Sequence, residues 1–330
     1  MMYSLIIPLY NRPDEIDELL QSLCLQSFKD FEVIVIEDGS KDELKADTII
    51  EKYSSKLKLK YFYKENSGQG FSRNYGFEKA SSDYFIILDS DCIIPPHYMQ
   101  AVHEGVSSRK LDLFGGPDAA HHDFTPLQKA ISYSMTSYFT TGGIRGKKKQ
   151  LHTYHPRSFN MGLSRKVYEA TKGFSITRCG EDIDLSIRAI KLGFTSGLIE
   201  NAYVFHKRRT DWLSFYKQVR FFGKARINIG SMHPSEIKLI HAFPALFLFY
   251  CLSCLLALCS LNKSLALFCL PLILFTALVF LDSLAQNKNI KVALLSIFTS
   301  YIQLIGYGVG FSKELIYRTI FNKTTKISDK

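Results

Sequence analysis

Two carboxylates stand one residue apart in Asp89-Ser90-Asp91, directly behind the apolar run Tyr84-Phe85-Ile86-Ile87-Leu88. The run reads as a buried strand, so the pair sits where a strand gives way to a loop. In open α/β sheets that edge is where ligands bind. Two acids at this spacing can share a hard divalent ion and present it to phosphate oxygens. Asp91 is the stronger ligand candidate, and Asp89 can reach a ribose, a metal-bound water, or both. His206 is a further candidate ligand; ahead of Lys207-Arg208-Arg209, its plain alternative is a surface or helix-end histidine. A second acidic pair, Glu181-Asp182, follows Gly180 and opens a helical pattern. A carboxylate such as Asp182, within about 3 Å of a hydroxyl, can take its proton as the oxygen attacks. Glu181 beside it can hold acceptor hydroxyls or the helix start. The same residues also suit a helix with acid in its first turn, which the helix dipole favours.

Asp38 ends another apolar run beside Gly39, where backbone can approach a ligand closely. It can accept hydrogen bonds from a nucleobase or ribose, or cap the next helix. Gly68-Gln69-Gly70-Phe71-Ser72-Arg73-Asn74 leads from a strand into a helix. Such a turn can receive phosphate on backbone N–H groups, with Arg73 neutralising charge. It is neither a Walker loop nor the dinucleotide fingerprint, whose residues are spaced differently.

The elements that position these residues follow from periodicity. Ser4 to Leu9, Phe31 to Ile36, residues 57–63 and Tyr84 to Leu88 read as strands. Helical patterns separate them: one after Asn11-Arg12-Pro13-Asp14 with Ile16, Leu19, Leu20 and Leu23 on one face, one over 43–53, and one from the glycine-rich turn to Ala80. Apolar runs without alternation suit a parallel sheet covered on both faces. The alternation of strands and helices is a nucleotide-binding α/β pattern. Residues 115–160 read as long loops around a helical stretch near 126–139, and Glu181 to Lys191 as a helix. Lys207 to Ile229 reads as an amphipathic connector at a membrane surface, with Trp212, Phe215, Tyr216, Phe221 and Phe222 among basic residues.

Beyond about residue 238 the chain changes character. Residues 241–261, 264–281 and 292–312 carry no Lys, Arg, Asp or Glu. Each is about as long as a membrane-spanning helix needs to be, and three in succession favour spans over a buried helical domain. The start of the chain has no basic region and is broken by Pro8, Asn11 and Arg12, unlike an export signal. The large domain is therefore expected on the cytoplasmic face of the membrane. The basic stretch before the first span agrees with this, whereas the basic tail after the third is on the wrong side for an odd span count. The net charge of +10 fits anionic headgroups and phosphorylated substrates. No nucleic-acid-binding signature accompanies it, so no nucleic-acid partner is expected. The seven cysteines form no metal-binding set; Cys251 and Cys254 have zinc-like spacing but no second half and an apolar setting.

In order along residues 3–230, the motifs resemble the family 2 inverting glycosyltransferases, of the membrane-anchored bacterial type. Ile6-Ile7-Pro8-Leu9-Tyr10-Asn11 is similar to the family's opening strand and turn, and Glu37-Asp38-Gly39-Ser40 to its nucleobase loop. Asn66 to Asn74 is similar to its glycine-rich turn, and Asp89-Ser90-Asp91 to its metal motif. Gly115-Gly116-Pro117 and Asn160-Met161-Gly162 resemble its acceptor side, and Gly180-Glu181-Asp182-Ile183-Asp184-Leu185 its catalytic-base motif. The resemblance implies a GT-A nucleotide-sugar-binding α/β fold, with a mostly parallel central sheet, followed by a C-terminal transmembrane helical region. It implies nucleotide contacts from Pro8, Tyr10, Asn11, Asp38, Arg73 and Asp89, and Mg²⁺ or Mn²⁺ on Asp91. It further implies acceptor contacts from Glu181, Asn160 and Gly116, and Asp182 as the base. Lys217 to Arg226 resembles a Gln/Arg segment near the donor diphosphate in membrane synthases. That likeness makes Gln218 and Arg220 further candidates, although Phe221 replaces the tryptophan of cellulose-type synthases.

The expected organisation is a catalytic domain over 1–205, a basic connector over 206–238, spans within 239–312 and a basic tail over 313–330. The expected partners are a nucleoside-diphosphate-sugar donor, a lipid-linked glycan or polysaccharide acceptor, membrane lipids and, for any channel built from three spans, further copies in a homo-oligomer. The expected location is the bacterial cytoplasmic (inner) membrane, crossed several times. Two alternatives stand beside this reading: a processive polysaccharide synthase, and a non-catalytic membrane-tethered protein that binds nucleotide sugars or glycans.

Overall fold

The computed structural model describes residues 2–119, 121, 123–142, 154–259 and 267–321. They fall into two compact units. With elements numbered along the whole chain, the first unit contains β1 (Tyr3–Leu9), α1 (Pro13–Cys24), β2 (Phe31–Asp38), α2 (Asp47–Tyr53), β3 (Leu59–Lys64), α3 (Gln69–Lys79) and β4 (Tyr84–Leu88). It continues with β5 (Cys92–Ile93), α4 (Tyr98–Arg109), β6 (Leu113–Gly115) and β7 (Asp118–Ala119). After the second unit's contribution it resumes with β8 (Asn160–Ser164), α7 (Arg165–Thr171), α8 (Glu181–Lys191), β9 (Ser196–Leu198) and β10 (Val204–His206).

The main sheet runs β3-β2-β1-β4-β8-β6-β9, and a small sheet runs β5-β10-β7. Pairing is parallel from β3 through β4 and between β6 and β9; β8 alone runs antiparallel to both its neighbours. β1, β2 and β4 are almost wholly buried because helices cover both faces of the sheet, and they are apolar apart from Ser4, Glu32, Glu37 and Asp38. Side chains alternate between those faces. Leu5, Ile7, Val33, Val35, Ile86 and Leu88 pack with α1 and α4, whereas Ile6, Ile34, Ile36, Phe85 and Ile87 pack with Phe77 of α3 and Leu185 and Ala189 of α8.

Register determines what meets at the edge. Leu9 lies opposite Glu37, Asp38 opposite Lys64, Ile6 opposite Ile87, and Leu88 opposite Asn160. The turns after β1, β2 and β4 therefore emerge along one carboxyl-end edge. Helices α3 and α8 share a face of the sheet, which brings both of their N-termini to that same edge.

The second unit is helical: α5 (Pro126–Thr136), α6 (Tyr138–Thr141), α9 (Trp212–Met232), α10 (Phe243–Cys259), α11 (Leu270–Asn287) and α12 (Ile290–Phe321). The helical stretch expected near 126–139 is thus α5 and the start of α6. Thr125 and Gln128 form a capping box at the head of α5. Three segments among the described residues are long and apolar enough to cross a membrane: Leu239–Cys259, Leu267–Asn287 and Ile290–Phe321. Residues 260–266, at the junction of two expected spans, lie outside the described residues, as do 143–153 of the long loops and 322–330 of the tail.

Helix α9 occupies most of the expected connector, and it packs one face along α12. A Cβ on Gly306 would lie 2.5 Å from Val219, one on Gly223 2.1 Å from the Tyr307 carbonyl, and one on Gly310 1.9 Å from the Arg220 carbonyl. These glycines let two helix backbones approach closely. Helix α12 continues past residue 312, where a tail was expected, because Arg318 bonds Glu314 at 2.8 Å and also reaches Ser231 and Asn228 of α9. On the other side of α12, Thr299 Oγ1 donates to the Ala130 carbonyl at 2.9 Å, and Tyr133 donates to Asp282 of α11 at 2.7 Å.

Gly310→Ala should wedge α9 from α12 and cost about 1–3 kcal/mol, read as a lower midpoint of thermal unfolding in detergent. Leu256→Ala, at a side chain 73% exposed on α10, should change stability by less than about 0.5 kcal/mol in the same assay.

Candidate active site

Arg73 lies beneath the sheet edge with no exposed surface. Helix α3 delivers it there, one turn after the glycine-rich turn. One terminal nitrogen donates to Asp89 Oδ1 at 2.8 Å and the other to Glu181 Oε1 at 3.2 Å. The Phe174 ring lies 5.4 Å from the guanidinium carbon. A buried guanidinium needs anionic partners to offset its desolvation, and here the partners come from the two acidic motifs. Asp91 stands two residues beyond one and Asp182 one residue beyond the other.

Glu181 is buried, accepts from Gln69 Nε2 at 2.5 Å and from its neighbour Gly180 N–H at 3.2 Å. Burial, followed by the adjacent Asp182 charge, pushes its pKa up, with Arg73 and Gln69 opposing. The Asp182 carboxylate keeps 15% of its surface exposed, lies 4.0 Å from Arg157 and accepts from the Ser158 N–H at 3.2 Å.

At the other acidic motif, Asp91 Oδ2 accepts from Arg12 at 2.7 Å, and His206 Nε2 lies 3.1 Å from Oδ1. Strand β10 brings the histidine in by pairing His206 with Cys92, and Phe159 stacks on its ring at 5.0 Å. Burial alone would raise the Asp91 pKa, but His206 and Arg12 outweigh it and hold the carboxyl below the ordinary range. Asp91 Oδ1 and His206 Nδ1 are buried without an aligned hydrogen-bond partner. Donor atoms of Asp91, Cys92 and His206 lie within 4.8 Å of one another. The carboxylate oxygen of Asp91 suits Mg²⁺ or Mn²⁺, and the imidazole nitrogen of His206 suits the softer Mn²⁺ better than Mg²⁺. Burial keeps the Cys92 thiol protonated by raising its pKa, and its sulfur bonds the Phe159 carbonyl, so it is not part of that fit.

Asp38 is also engaged. Its carboxylate takes the N–H groups of Ser67 and Gly68, each at 2.9 Å, and the Lys64 ammonium. Asn11, with φ of 53°, donates its N–H to Ser40 Oγ at 2.7 Å and accepts the Lys41 N–H on its side-chain oxygen at 2.9 Å. Tyr10 is 47% exposed at the strand end, and Pro8 is half-buried.

Comparison with known proteins gives this arrangement its family. Residues 4–171, half of the chain, match the model described as glycosyl transferase family 2. The chain belongs to that family. It is 25% identical over 325 residues to a probable glycosyltransferase of Sulfolobus acidocaldarius, covering 89% of this chain and 69% of the other. It is 36% identical over 120 residues to an uncharacterised glycosyltransferase of Rickettsia conorii, 35% of this chain and 19% of that one. The chain spans a third or less of the length of the first curated relatives it matches. A mannosyltransferase from Pyrobaculum calidifontis, solved with GDP-Man and Mn²⁺, superposes with a TM-score of 0.59 at 13% identity, covering 95% of this chain and 86% of that one. That likeness establishes the fold, which is the GT-A type of the family.

In the first unit, Asp89, Asp91 and Arg73 of the family-matched segment gather at one edge with Glu181, Asp182 and His206, which lie beyond it. The structure treats other expected site residues differently. The amide of Asn160 is wholly buried, accepting from Tyr98 at 2.7 Å and donating to the Ala202 carbonyl at 2.8 Å. Gly116 is a close-packing position, where a Cβ would lie 1.7 Å from the Ala202 oxygen. Gln218 and Arg220 belong to α9 in the second unit. Arg12 and Gln69, which were not among the expected site residues, contact Asp91 and Glu181 at this edge. The position of Arg12 immediately beyond β1, at the same edge as Asp38 and Asp89, was the available signal; Gln69 had none beyond its place in the turn.

Arg12 and a divalent ion would compete for the Asp91 carboxylate. Arg12→Ala should therefore tighten Mn²⁺ binding to nucleotide-free protein by about tenfold or more, and Asp91→Asn should abolish it. Free Mn²⁺ followed by electron paramagnetic resonance is the readout; equal affinities in all three proteins would locate the ion elsewhere.

Proposed function

We propose that this family 2 domain is an inverting, metal-assisted transferase. It would move a sugar from a nucleoside-diphosphate sugar onto a hydroxyl of a lipid-linked or polysaccharide acceptor. The carrying observation is the Arg73 guanidinium shared by Asp89 and Glu181. By tying the two acidic motifs together at one sheet edge, it supports a direct displacement between an ion held by Asp91 and a base at Asp182. Asp91 and His206 would hold the ion, Mg²⁺ or Mn²⁺, which when bound offsets negative charge developing on the leaving diphosphate. Exposed Tyr10, with Asn11 and Asp38 behind it, offers a surface for the nucleoside at the ends of β1 and β2.

In the proposed reaction Asp182 accepts the proton of the acceptor hydroxyl. The hydroxyl oxygen of the acceptor bonds to the anomeric carbon as the bond to the diphosphate oxygen breaks, inverting that carbon. A general base of this kind contributes roughly 10²–10⁴-fold. Three apolar helices capable of crossing a membrane support an acceptor that is itself lipid-borne. They also support a multi-pass membrane location, and the basic residues Lys207, Arg208 and Arg209 ahead of the first support an inner membrane with the catalytic unit on the cytoplasmic face.

The test is a donor screen on detergent-solubilised full-length protein with a bacterial lipid extract, scored by nucleoside diphosphate release and product length. One sugar per acceptor agrees with the proposal, a ladder of lengths indicates a processive synthase, and binding without release indicates a non-catalytic protein. Asp182→Asn should lower kcat by about 10²–10⁴-fold while sparing donor affinity. Asp91→Ala should weaken metal-dependent donor binding. Near-native transfer by Asp182→Asn would remove that residue as the base.

A further inference from the structure

The loop over 172–180, between α7 and α8, leads directly into Glu181 and Asp182. Its backbone is constrained: Lys172 and Gly173 have φ of 59° and 72°, and Cys179 and Gly180 have 73° and 103°. A residue with a side chain in the left-handed region, such as Cys179, persists where its surroundings over-determine it. Those surroundings include the glycine-rich turn. Asn74 both donates to and accepts from the Phe174 backbone, at 2.9 and 2.8 Å. Gly70 N–H donates to the Thr177 carbonyl at 3.1 Å, and Thr177 Oγ1 donates to the Ser67 carbonyl at 3.0 Å. Gln69 then reaches past the loop to Glu181 at 2.5 Å.

The glycines explain the closeness. A Cβ on Gly68 would lie 2.1 Å from Thr177 Oγ1, and one on Gly70 would lie 2.6 Å from the Ile176 carbonyl. Both therefore make room for the loop. The N–H groups of Ser67 and Gly68 are taken by Asp38 and that of Gly70 by Thr177. A phosphate cradle would need these donors.

We propose that the glycine-rich turn is the seat of the base-bearing loop, with Gln69 and Gly70 as positioning residues that set where the Asp182 carboxylate is presented. This rests on the function proposed above, because only a base needs such placement. An error of about 1 Å in a reacting group can cost on the order of 10²-fold in rate. The turn thus acts on turnover, through Glu181 and the 173–181 backbone, and not on donor phosphate.

Gln69→Ala, Gln69→Glu and Gly70→Ala in the full-length protein test this. Gln69 is exposed, so its variants leave the core intact, and Gly70→Ala suits the helical backbone but presses on Ile176. Measurements are nucleoside diphosphate release from UDP-glucose, UDP-N-acetylglucosamine and GDP-mannose, calorimetric binding of UDP and GDP with Mn²⁺, and amide hydrogen exchange over 174–182. We expect kcat to fall about tenfold in Gln69→Ala and further in Gln69→Glu, whose new carboxylate faces Glu181. Donor KM and nucleotide affinity should stay within about twofold, and exchange over 174–182 should accelerate. Loss of nucleotide affinity at unchanged kcat would overturn the proposal in favour of a phosphate seat. Unchanged kcat or unchanged exchange would overturn it outright. Wild-type protein that releases no nucleotide from any donor would instead refute the proposed function, and the exchange arm would still decide whether the turn seats the loop.

Discussion

A guanidinium without access to water organises the candidate site. The Arg73 guanidinium cannot be hydrated where it lies, so its charge must be met by acids. Asp89 and Glu181 meet it from two motifs separated by more than ninety residues of sequence. Removing either acid would leave a buried charge short of a partner, which is costlier than never having buried the pair. The arrangement therefore defends itself. It also ties the loop after β4 to the start of α8 through one planar group.

Around this tie, the edge of the sheet is arranged by register. Parallel pairing of β1 with β2 and β4 makes three turns emerge together, and each turn carries a polar residue engaged with another: Arg12 with Asp91, Asn11 with Ser40 and Lys41, Asp38 with the glycine-rich turn. Such a network stiffens the crevice, while Asp91 Oδ1 meets only the His206 ring, at 3.1 Å and without an aligned hydrogen bond. The helical unit uses a different device. There, glycines on α9 and α12 bring backbones together, and small hydroxyls such as Ser283 with Ser296 bond at 2.7 Å. In lipid, where apolar burial drives little association, close packing and such bonds hold helices together.

Much of the architecture was legible from residue order. The apolar runs at 4–9, 31–36 and 84–88 became the buried parallel strands Tyr3–Leu9, Phe31–Asp38 and Tyr84–Leu88, because a sheet covered on both faces leaves little polar alternation. The helix over 181–191 and the three apolar segments followed from periodicity and from the absence of charge. Two features were not legible. The antiparallel β8 begins at Asn160, whose amide looks like a ligand group in sequence but is consumed by Tyr98 and Ala202. The segment Lys207 to Ile229 has the composition of a surface helix, yet its Phe215, Val219 and Gly223 face α12. Composition reports amphipathicity and not the identity of what covers the apolar side.

The chain's own residues determined the elements, the family and the acids able to do chemistry, because strand and helix periodicity and local motifs are properties of neighbours in sequence. Folding decided which of those acids share a cation, which glycines face backbone and not phosphate, and which polar side chains are spent inside. Those outcomes depend on groups far apart in the chain, whose meeting is set by sheet register and helix packing. Arg73 shows the division most clearly: its type and motif suggested a phosphate partner, and its burial assigned it two carboxylates.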